Sequence, residues 1–267
     1  MRTRASIALL IPLACLLGCT YPYTPQPYTN WQIEPGTAIT YPPPLADNLS
    51  GPMQIQGSQV TGSFTNDVNF EGNPIDVTGS FDSSTGNLTF GTYIDPYFYS
   101  GAQLTLPPDP TTTLATGIFY FGCAPPTAGS ASCPINSPGV PAVATEIAPL
   151  NGTYTGTLTD SASPGMSGTG SLTLTQSATP NADGSFSLTG THTITNGVSV
   201  MGLLPPLTGT VTGEGITLYD PTPGIVPVVS LMASTNPAAT QIAVSNLAFA
   251  VTASDIVTFT GTLTLQQ

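Results

Sequence analysis

From residue 30 onward, hydrophobic and polar residues alternate in short runs along the chain. Residues 171–176 read Ser-Leu-Thr-Leu-Thr-Gln, and residues 257–265 read Val-Thr-Phe-Thr-Gly-Thr-Leu-Thr-Leu. A period of two places successive side chains on opposite faces of a β-strand. Turn-forming sequences, such as Asn-Ala-Asp-Gly at 181–184, separate the runs. The pattern therefore predicts an all-β chain built of antiparallel hairpins.

A five-residue pattern recurs six times, consisting of an apolar residue, Thr, Gly, Ser or Thr, and usually a second apolar residue. The first, third and fifth positions of a strand share one face, so the central glycine should point inward between two larger side chains. An inward glycine lets a strand coil sharply, or leaves room for an aromatic ring from a neighbour. Both uses suit a small barrel or a tightly curled sandwich. The glycines concerned are Gly62, Gly79, Gly156, Gly190, Gly209 and Gly261.

The copies of this pattern fall into two halves, which predict a tandem duplication. The first β-module is assigned to residues 30–123 and the second to residues 150–267, joined by a linker at 124–149 that is rich in Pro, Ala, Gly and Ser. We expect each module to be an antiparallel β-meander, closed as a small up-and-down barrel or curled as a sandwich. Two barrels and one continuous sheet are both compatible with the pattern. A change of phase near Ser245 and Asn246 predicts a β-bulge there.

The Gly-Thr-Tyr sequence at 152–154 resembles the opening of small meander barrels of the avidin and lipocalin kind. The whole mature part is similar to tandem all-β envelope lipoproteins of bacteria that carry paired Gly-Thr-Tyr-x-Gly modules. These resemblances imply a fold of two small barrels. They imply no ligand, because the ligand motifs of those barrels are not found in the chain.

The N-terminal segment is typical of a secretory signal at residues 1–18, where Arg2 and Arg4 precede an apolar run too short to span a bilayer. The run ends Leu-Leu-Gly-Cys at residues 16–19, which resembles the lipobox of bacterial lipoproteins. In that family the signal is removed before the cysteine, which then carries diacylglycerol and fatty acyl chains such as palmitate. The resemblance implies lipidation of Cys19 and a place in the cell envelope, facing the periplasm or the cell surface. Thr20, where Asp often signals retention at the inner membrane, favours the outer membrane.

The proline-rich stretch that follows Cys19, up to residue 29, predicts an extended tether between the lipid and the folded part. Arg2 and Arg4 are the only Lys or Arg residues in the chain, so removing the signal changes the formal net charge from −12 to −14. A chain without Lys or Arg cannot neutralise phosphates, which excludes nucleic-acid binding and polybasic contact with anionic lipids. The predicted membrane contact is therefore the lipid anchor alone.

Two cysteines, Cys123 and Cys133, remain once the signal is removed and Cys19 is lipidated. In an oxidising compartment they are expected to form a disulfide across a short loop. His192 is the only histidine, and no Gly-x-Ser-x-Gly sequence is present, so a catalytic triad is not predicted. The sequence predicts no enzyme activity and no cofactor.

Three further site hypotheses concern His192, an acidic loop and a group of aromatic residues. His192 occupies the fifth, inward position of the recurring pattern, which suggests either a buried structural imidazole or a polar group in a ligand cavity. The spacing Asp-x-Asn-x-Glu-Gly resembles the start of an EF-hand calcium loop, although Thr78 stands where that loop ends in Glu. Its candidate ligands are Asp67, Asn69 and Glu71. A group of aromatic residues suggests either core packing or a surface for sugar rings, and consists of Tyr93, Tyr97, Phe98, Tyr99, Phe119, Tyr120 and Phe121.

Three functions follow from these observations. The favoured one is a non-enzymatic, lipid-anchored β-scaffold of the cell envelope for structure, adhesion or binding, with ligand or protein partner undetermined. The second is a lipocalin-like carrier of a small apolar ligand, which requires an open cavity near His192. The third is a glycan-binding or glycan-acting protein, which requires exposed coplanar rings or two close carboxylates.

Overall fold

The computed structural model describes residues 28–35, 48–66, 74–95, 98–106, 114–121, 140–163, 167–195, 206–221, 229–252 and 255–266. The described chain is all-β, as the alternation predicted. Eight strands belong to the first half: β1 (Thr29–Pro35), β2 (Leu49–Gln56), β3 (Gln59–Asn66), β4 (Ile75–Asp82), β5 (Asn87–Asp95), β6 (Phe98–Thr105), β7 (Leu114–Phe121) and β8 (Val140–Ile147). Eight belong to the second: β9 (Gly152–Asp160), β10 (Ser167–Pro180), β11 (Phe186–Thr195), β12 (Leu207–Thr212), β13 (Gly215–Tyr219), β14 (Val229–Thr235), β15 (Gln241–Thr252) and β16 (Asp255–Leu265).

Each set of eight strands closes into its own antiparallel barrel in simple up-and-down order. The first barrel closes where β1 pairs with β8, and the second where β16 pairs with β9. The chain therefore forms two tandem barrels and not one continuous sheet. No helix in the described ranges is long and apolar enough to cross a membrane.

Strand β8 corrects the predicted domain boundary. It was assigned to the linker at 124–149, yet it pairs with both β7 and β1 and completes the first barrel. Its inward residues include Ala142 and Ala144, which are fully buried. Small inward side chains and Pro141 gave this segment the composition of a linker, although its alternation is that of a strand. The first module therefore extends to Ile147.

The predicted bulge in β15 is present. The pairing with β14 shifts so that Met232 lies opposite Asn246 and Ala233 opposite Val244, which leaves Ser245 as the extra residue. The Ser245 hydroxyl donates to the carbonyl of Met232 at 2.9 Å. The bulge brings the buried residues on either side of it onto a common inward face.

Among the described residues, buried apolar side chains pack together inside both barrels, as expected for eight strands. In the first barrel Phe64 stacks on Phe90 with ring centroids 5.5 Å apart. In the second barrel Phe249 meets the edge of Phe259 at 5.9 Å. The fully buried Tyr154 donates its hydroxyl to the carbonyl of Ala239 at 2.9 Å, so its one polar atom is satisfied.

The recurring glycines mark places where neighbouring strands approach closely. A Cβ atom added to Gly79, Gly156 or Gly209 would overlap a carbonyl oxygen of the adjacent strand. A strand can come this near only where no side chain intervenes. At these positions the glycine therefore permits sharp coiling of the barrel wall and does not make room for an aromatic ring.

Candidate functional site

The two barrels meet through the outer face of β1 and the tight turns at one end of the second barrel. The buried side chain of Asn30 donates to the carbonyl of Gly213 and accepts from the Gly213 amide, each at 2.8 Å. One side-chain amide, that of Asn30, thus pairs with both the N–H and the C=O group of Gly213. Asn30 therefore fixes the β12–β13 turn onto the wall of the first barrel.

Gly213 has φ +54°, and a Cβ atom there would lie 2.6 Å from the Ser50 hydroxyl and 2.8 Å from the Gln32 side-chain oxygen. Next to it, the Glu214 amide donates to that same Gln32 oxygen at 3.0 Å. Glycine is required both for the left-handed backbone and for the close approach. The two barrels are thus joined by specific hydrogen bonds in addition to the covalent connection.

The connection between the barrels, residues 148–151, is held against the second barrel. The Ala148 amide donates to the carbonyl of Pro237 at 2.8 Å. The Leu150 amide donates to the side-chain oxygen of Gln176 at 2.9 Å, and the Gln176 amide donates to the side-chain oxygen of Asn151 at 3.0 Å. These bonds give the chain between the barrels a defined path.

A groove of about 370 Å³ lies at this junction and is called the junction groove here. Its walls come from both barrels and from the connection between them. Its lining includes Tyr28, Asn30, Glu146, Asn151, Gln176 and Phe186. Tyr28 packs against the core of the second barrel, so it ties the start of the first barrel to the second. Concave sites at domain junctions are common places for ligands.

Glu146 is half-buried in the wall of the junction groove. It lies opposite Trp31 in the β1–β8 register, and directly opposed residues have neighbouring side chains. Burial raises the pKa of the Glu146 carboxyl above its ordinary value of 4.5. Burial also raises the pKa of Glu214 across the junction, and the negative charge of Glu34 adds to that effect. The junction is therefore acidic and partly shielded from water.

His192 lies inside the second barrel, far from the junction. The ring is 7% exposed and lies 5.6 Å from the ring of Phe249, measured between centroids. Neither ring nitrogen has a hydrogen-bond partner. Burial lowers the pKa of His192 from 6.5 to about 4, and the negative charge of Asp220 opposes that shift. At neutral pH the histidine is therefore an uncharged imidazole in an apolar interior.

The buried imidazole predicts a pH dependence of stability. Because the pKa of His192 is about 4 in the folded state and 6.5 in the unfolded state, its neutral form stabilises the fold fully above pH 6.5. This contribution is lost as pH falls from 6.5 to 4, by at most about 3 kcal/mol. The variant His192→Leu should not show this loss of stability in acid. The free energies of unfolding of the original protein and the variant are measured at pH 7, 5.5 and 4, and the difference between them should change with pH. Apart from Asp220, whose charge acts on His192, the other titrating groups contribute equally to both proteins. Parallel pH profiles would therefore show this account of His192 to be wrong.

The outer wall of the second barrel carries Thr and Ser in register across neighbouring strands. Thr155 lies opposite Ser171, and Ser171 lies opposite Thr193 on its other side. One row further, the hydroxyls of Thr153 and Thr173 are hydrogen-bonded at 2.9 Å. This part of the surface is polar without charge.

Several predicted site residues lie outside the described ranges, namely Cys19, Cys123, Cys133, Asp67, Asn69 and Glu71. Within those ranges no three His, Cys, Asp or Glu side chains are grouped to hold a metal ion. The β5–β6 register pairs Tyr93 with Tyr99, and Phe119 is buried in the first barrel core. No pattern in the sequence predicts the junction groove, because its residues lie in distant parts of the chain.

No protein-family model matches the chain, and no curated protein matches it. Among solved structures it is similar to two crystal structures of the vaccine antigen transferrin-binding protein B from Haemophilus parasuis Hp5. A single-substitution mutant is 8% identical over 91% of this chain and 77% of that one, with a TM-score of 0.22. A double mutant is 9% identical over 80% of this chain and 54% of that one, with a TM-score of 0.21. This chain thus spans about half the length of the second structure, and neither similarity assigns it a function.

Proposed function

We propose that the protein is a lipid-anchored binding scaffold of the cell envelope, which acts through its outer surface. One observation carries this proposal: the described residues pack buried apolar side chains into both barrel interiors, from the stacked Phe64 and Phe90 in the first to Tyr154 and Phe259 in the second. A filled interior leaves the outer walls and the barrel junction as the surfaces for a partner. The described part of the chain offers no metal-binding cluster and no histidine-based triad to carry a reaction.

The anchor rests on the N-terminal sequence. Cys19 at the end of an apolar signal is expected to carry the acyl chains, and the proline-rich stretch behind it to hold the barrels away from the membrane. No Lys or Arg follows Arg4, so the acidic barrels have no attraction of their own to anionic lipids. The uncharged Thr and Ser wall is suited to contact with neutral, hydrated partners. The outer membrane is the favoured location.

Native mass spectrometry of the protein extracted from membranes tests this proposal. The expected mass is that of residues 19–267 with acyl chains at the N-terminus, and with any disulfide between Cys123 and Cys133 visible as the loss of two hydrogens. In the control, Cys19→Ser should remove the acyl mass and release the protein from the membrane fraction. A Cys19→Ser protein that stays membrane-bound would rule out the anchor.

A second candidate function is favoured by one observation, the two unpartnered nitrogens of His192. Buried polar atoms in native proteins nearly always have partners, so a small ligand with a hydrogen-bonding group could supply them. In that case the protein would carry a small ligand inside the second barrel, and the native mass spectrum tests this as well. A carrier would retain a small molecule that His192→Leu releases, whereas the scaffold retains none.

A further inference from the structure

Rows of hydroxyl side chains cross the outer face of the second barrel from β10 to β13. In one row Thr175 lies opposite Thr189, which lies opposite Thr208 on its other side. The row ends on Tyr219 of β13, opposite Thr208. Neighbouring strands are about 4.8 Å apart, so this row is about 14 Å long. The surface called the hydroxyl wall here has two threonines on each of β10, β11 and β12, namely Thr173, Thr175, Thr189, Thr191, Thr208 and Thr210.

Charge restricts what the hydroxyl wall can bind. The sequences of β10 to β13 contain no Asp, Glu, Lys or Arg, and their one histidine, His192, is buried inside the barrel. An ionic ligand therefore meets no opposite charge at the wall. An anionic ligand is also repelled by the acidic chain, which has no Lys or Arg after Arg4. The complementary partner is a neutral molecule.

The hydroxyl wall can both donate and accept hydrogen bonds. A threonine hydroxyl has one donor and two acceptor positions, so Thr173, which is bonded to Thr153 at 2.9 Å, can still bond to a ligand. Each threonine also carries a methyl group, and Tyr219, which is 49% exposed, adds an aromatic ring at the end of the row. Sugars have the matching groups, namely many neutral hydroxyls and an apolar C–H face that stacks on aromatic rings.

Two other neutral partners match the hydroxyl wall less well. The hot spots of protein–protein interfaces are poor in Ser and Thr, which argues against a protein partner. The wall of a closed eight-stranded barrel is twisted and curved, so it cannot lie flat on a crystalline surface. A flexible chain can follow the curvature and repeat the same weak contact along its length, which raises its affinity.

We propose that the hydroxyl wall and Tyr219 bind a neutral, soluble polysaccharide chain. The polysaccharide lies across β10 to β13, with its hydroxyl groups bonded to the threonines and one sugar ring stacked on Tyr219. It is a ligand class for the scaffold proposed above, and it rests on the proposal that this scaffold binds through its outer surface.

Affinity electrophoresis of the full mature protein tests for such binding, in a polyoxyethylene detergent that carries no sugar. Native gels contain dextran, mannan or galactomannan as separate neutral probes, and polygalacturonate as the acidic control. At least one neutral polysaccharide should retard the protein in proportion to its concentration, and polygalacturonate should not.

The ring of Tyr219 is tested with that polysaccharide. Tyr219→Ala should raise the apparent Kd roughly threefold to tenfold, whereas Tyr219→Phe keeps the ring and should stay within about twofold of the original protein. The matched control is Ile256→Ala, which truncates an exposed side chain on β16, three strands away in the barrel, and should leave the Kd unchanged.

The hydroxyl groups are tested by a pair of substitutions that keep the shape and the strand preference of the side chains. Thr189→Val combined with Thr208→Val removes two neighbouring hydroxyls and should raise the Kd roughly fivefold or more. Thr61→Val combined with Thr78→Val makes the same change at an exposed, paired position of the first barrel and should have no effect. Circular dichroism checks that every variant is folded.

Three results would each overturn the proposal. They are no retardation by any of the neutral polysaccharides, equal retardation by polygalacturonate, and equal losses in a wall variant and its matched control. None of these results affects the lipid anchor or the packed barrel interiors, which are tested by mass spectrometry, so the two proposals fail separately.

Discussion

Gly209→Ala should destabilise the second barrel by about 3 kcal/mol or more, because the added methyl group has no space. Its Cβ atom would overlap the carbonyl oxygen of Thr217 and lie 2.8 Å from the Cα atom of Leu218. Both are backbone atoms of the paired strand β13, so relief requires the strands to separate and their hydrogen bonds to lengthen. Urea unfolding followed by far-UV circular dichroism measures the loss.

The matched control is Gly215→Ala, on the strand opposite. There the nearest atom to an added Cβ is the carbonyl oxygen of Thr212 at 3.4 Å, an ordinary contact. This variant should lie within about 0.5 kcal/mol of the original protein. The fluorescence of Trp31, the only tryptophan, reports the first barrel separately. Equal stabilities for the two alanine variants would contradict the role assigned to the recurring glycine.

Asn30→Asp should loosen the docking of the two barrels and cost about 3–5 kcal/mol at neutral pH. The introduced carboxylate can still accept from the Gly213 amide, but it cannot donate to the Gly213 carbonyl, and it is buried beside a second acceptor. Unfolding by urea gives the free energy, and small-angle X-ray scattering should show a larger radius of gyration if the barrels separate.

The pH response identifies the cause of this loss. Protonation restores the donor, so the introduced carboxyl has a raised pKa in the docked state, and the stability lost at neutral pH should return as pH falls through that pKa. The control is Asn151→Asp, the same change at an exposed asparagine, which keeps the acceptor for the Gln176 amide and should cost about 1 kcal/mol or less. If Asn30→Asp behaves like this control, or shows no recovery in acid, the Asn30 contact does not hold the barrels together.

Local pattern was enough to predict most of the fold. The alternation in residues 171–176 lies in β10, and the phase change at Ser245 is the bulge, because both depend only on which neighbours share a face. The predicted end of the first module at residue 123 was wrong. The Pro, Ala and Gly content of the segment that forms β8 was given more weight than its alternation of inward and outward residues. A strand that faces a crowded interior with alanine has the composition of a linker.

The junction could not be predicted in the same way. Asn30 and Gly213 are 183 residues apart, and their contact depends on how two finished barrels dock. Glu146 gives no signal in sequence, since a single carboxylate near the end of a strand is usually solvated. His192 was different: the recurring pattern predicted its inward position, and only its missing hydrogen-bond partners required the structure.

The most direct test of the central claim is the native mass spectrum of the membrane-extracted protein, compared before and after denaturation. Two filled barrels that act through their outer surface should give the mass of the lipidated chain alone, the same in both spectra. A stoichiometric apolar molecule, present in the native spectrum and absent after unfolding, would show that a barrel carries a ligand inside and would contradict the account.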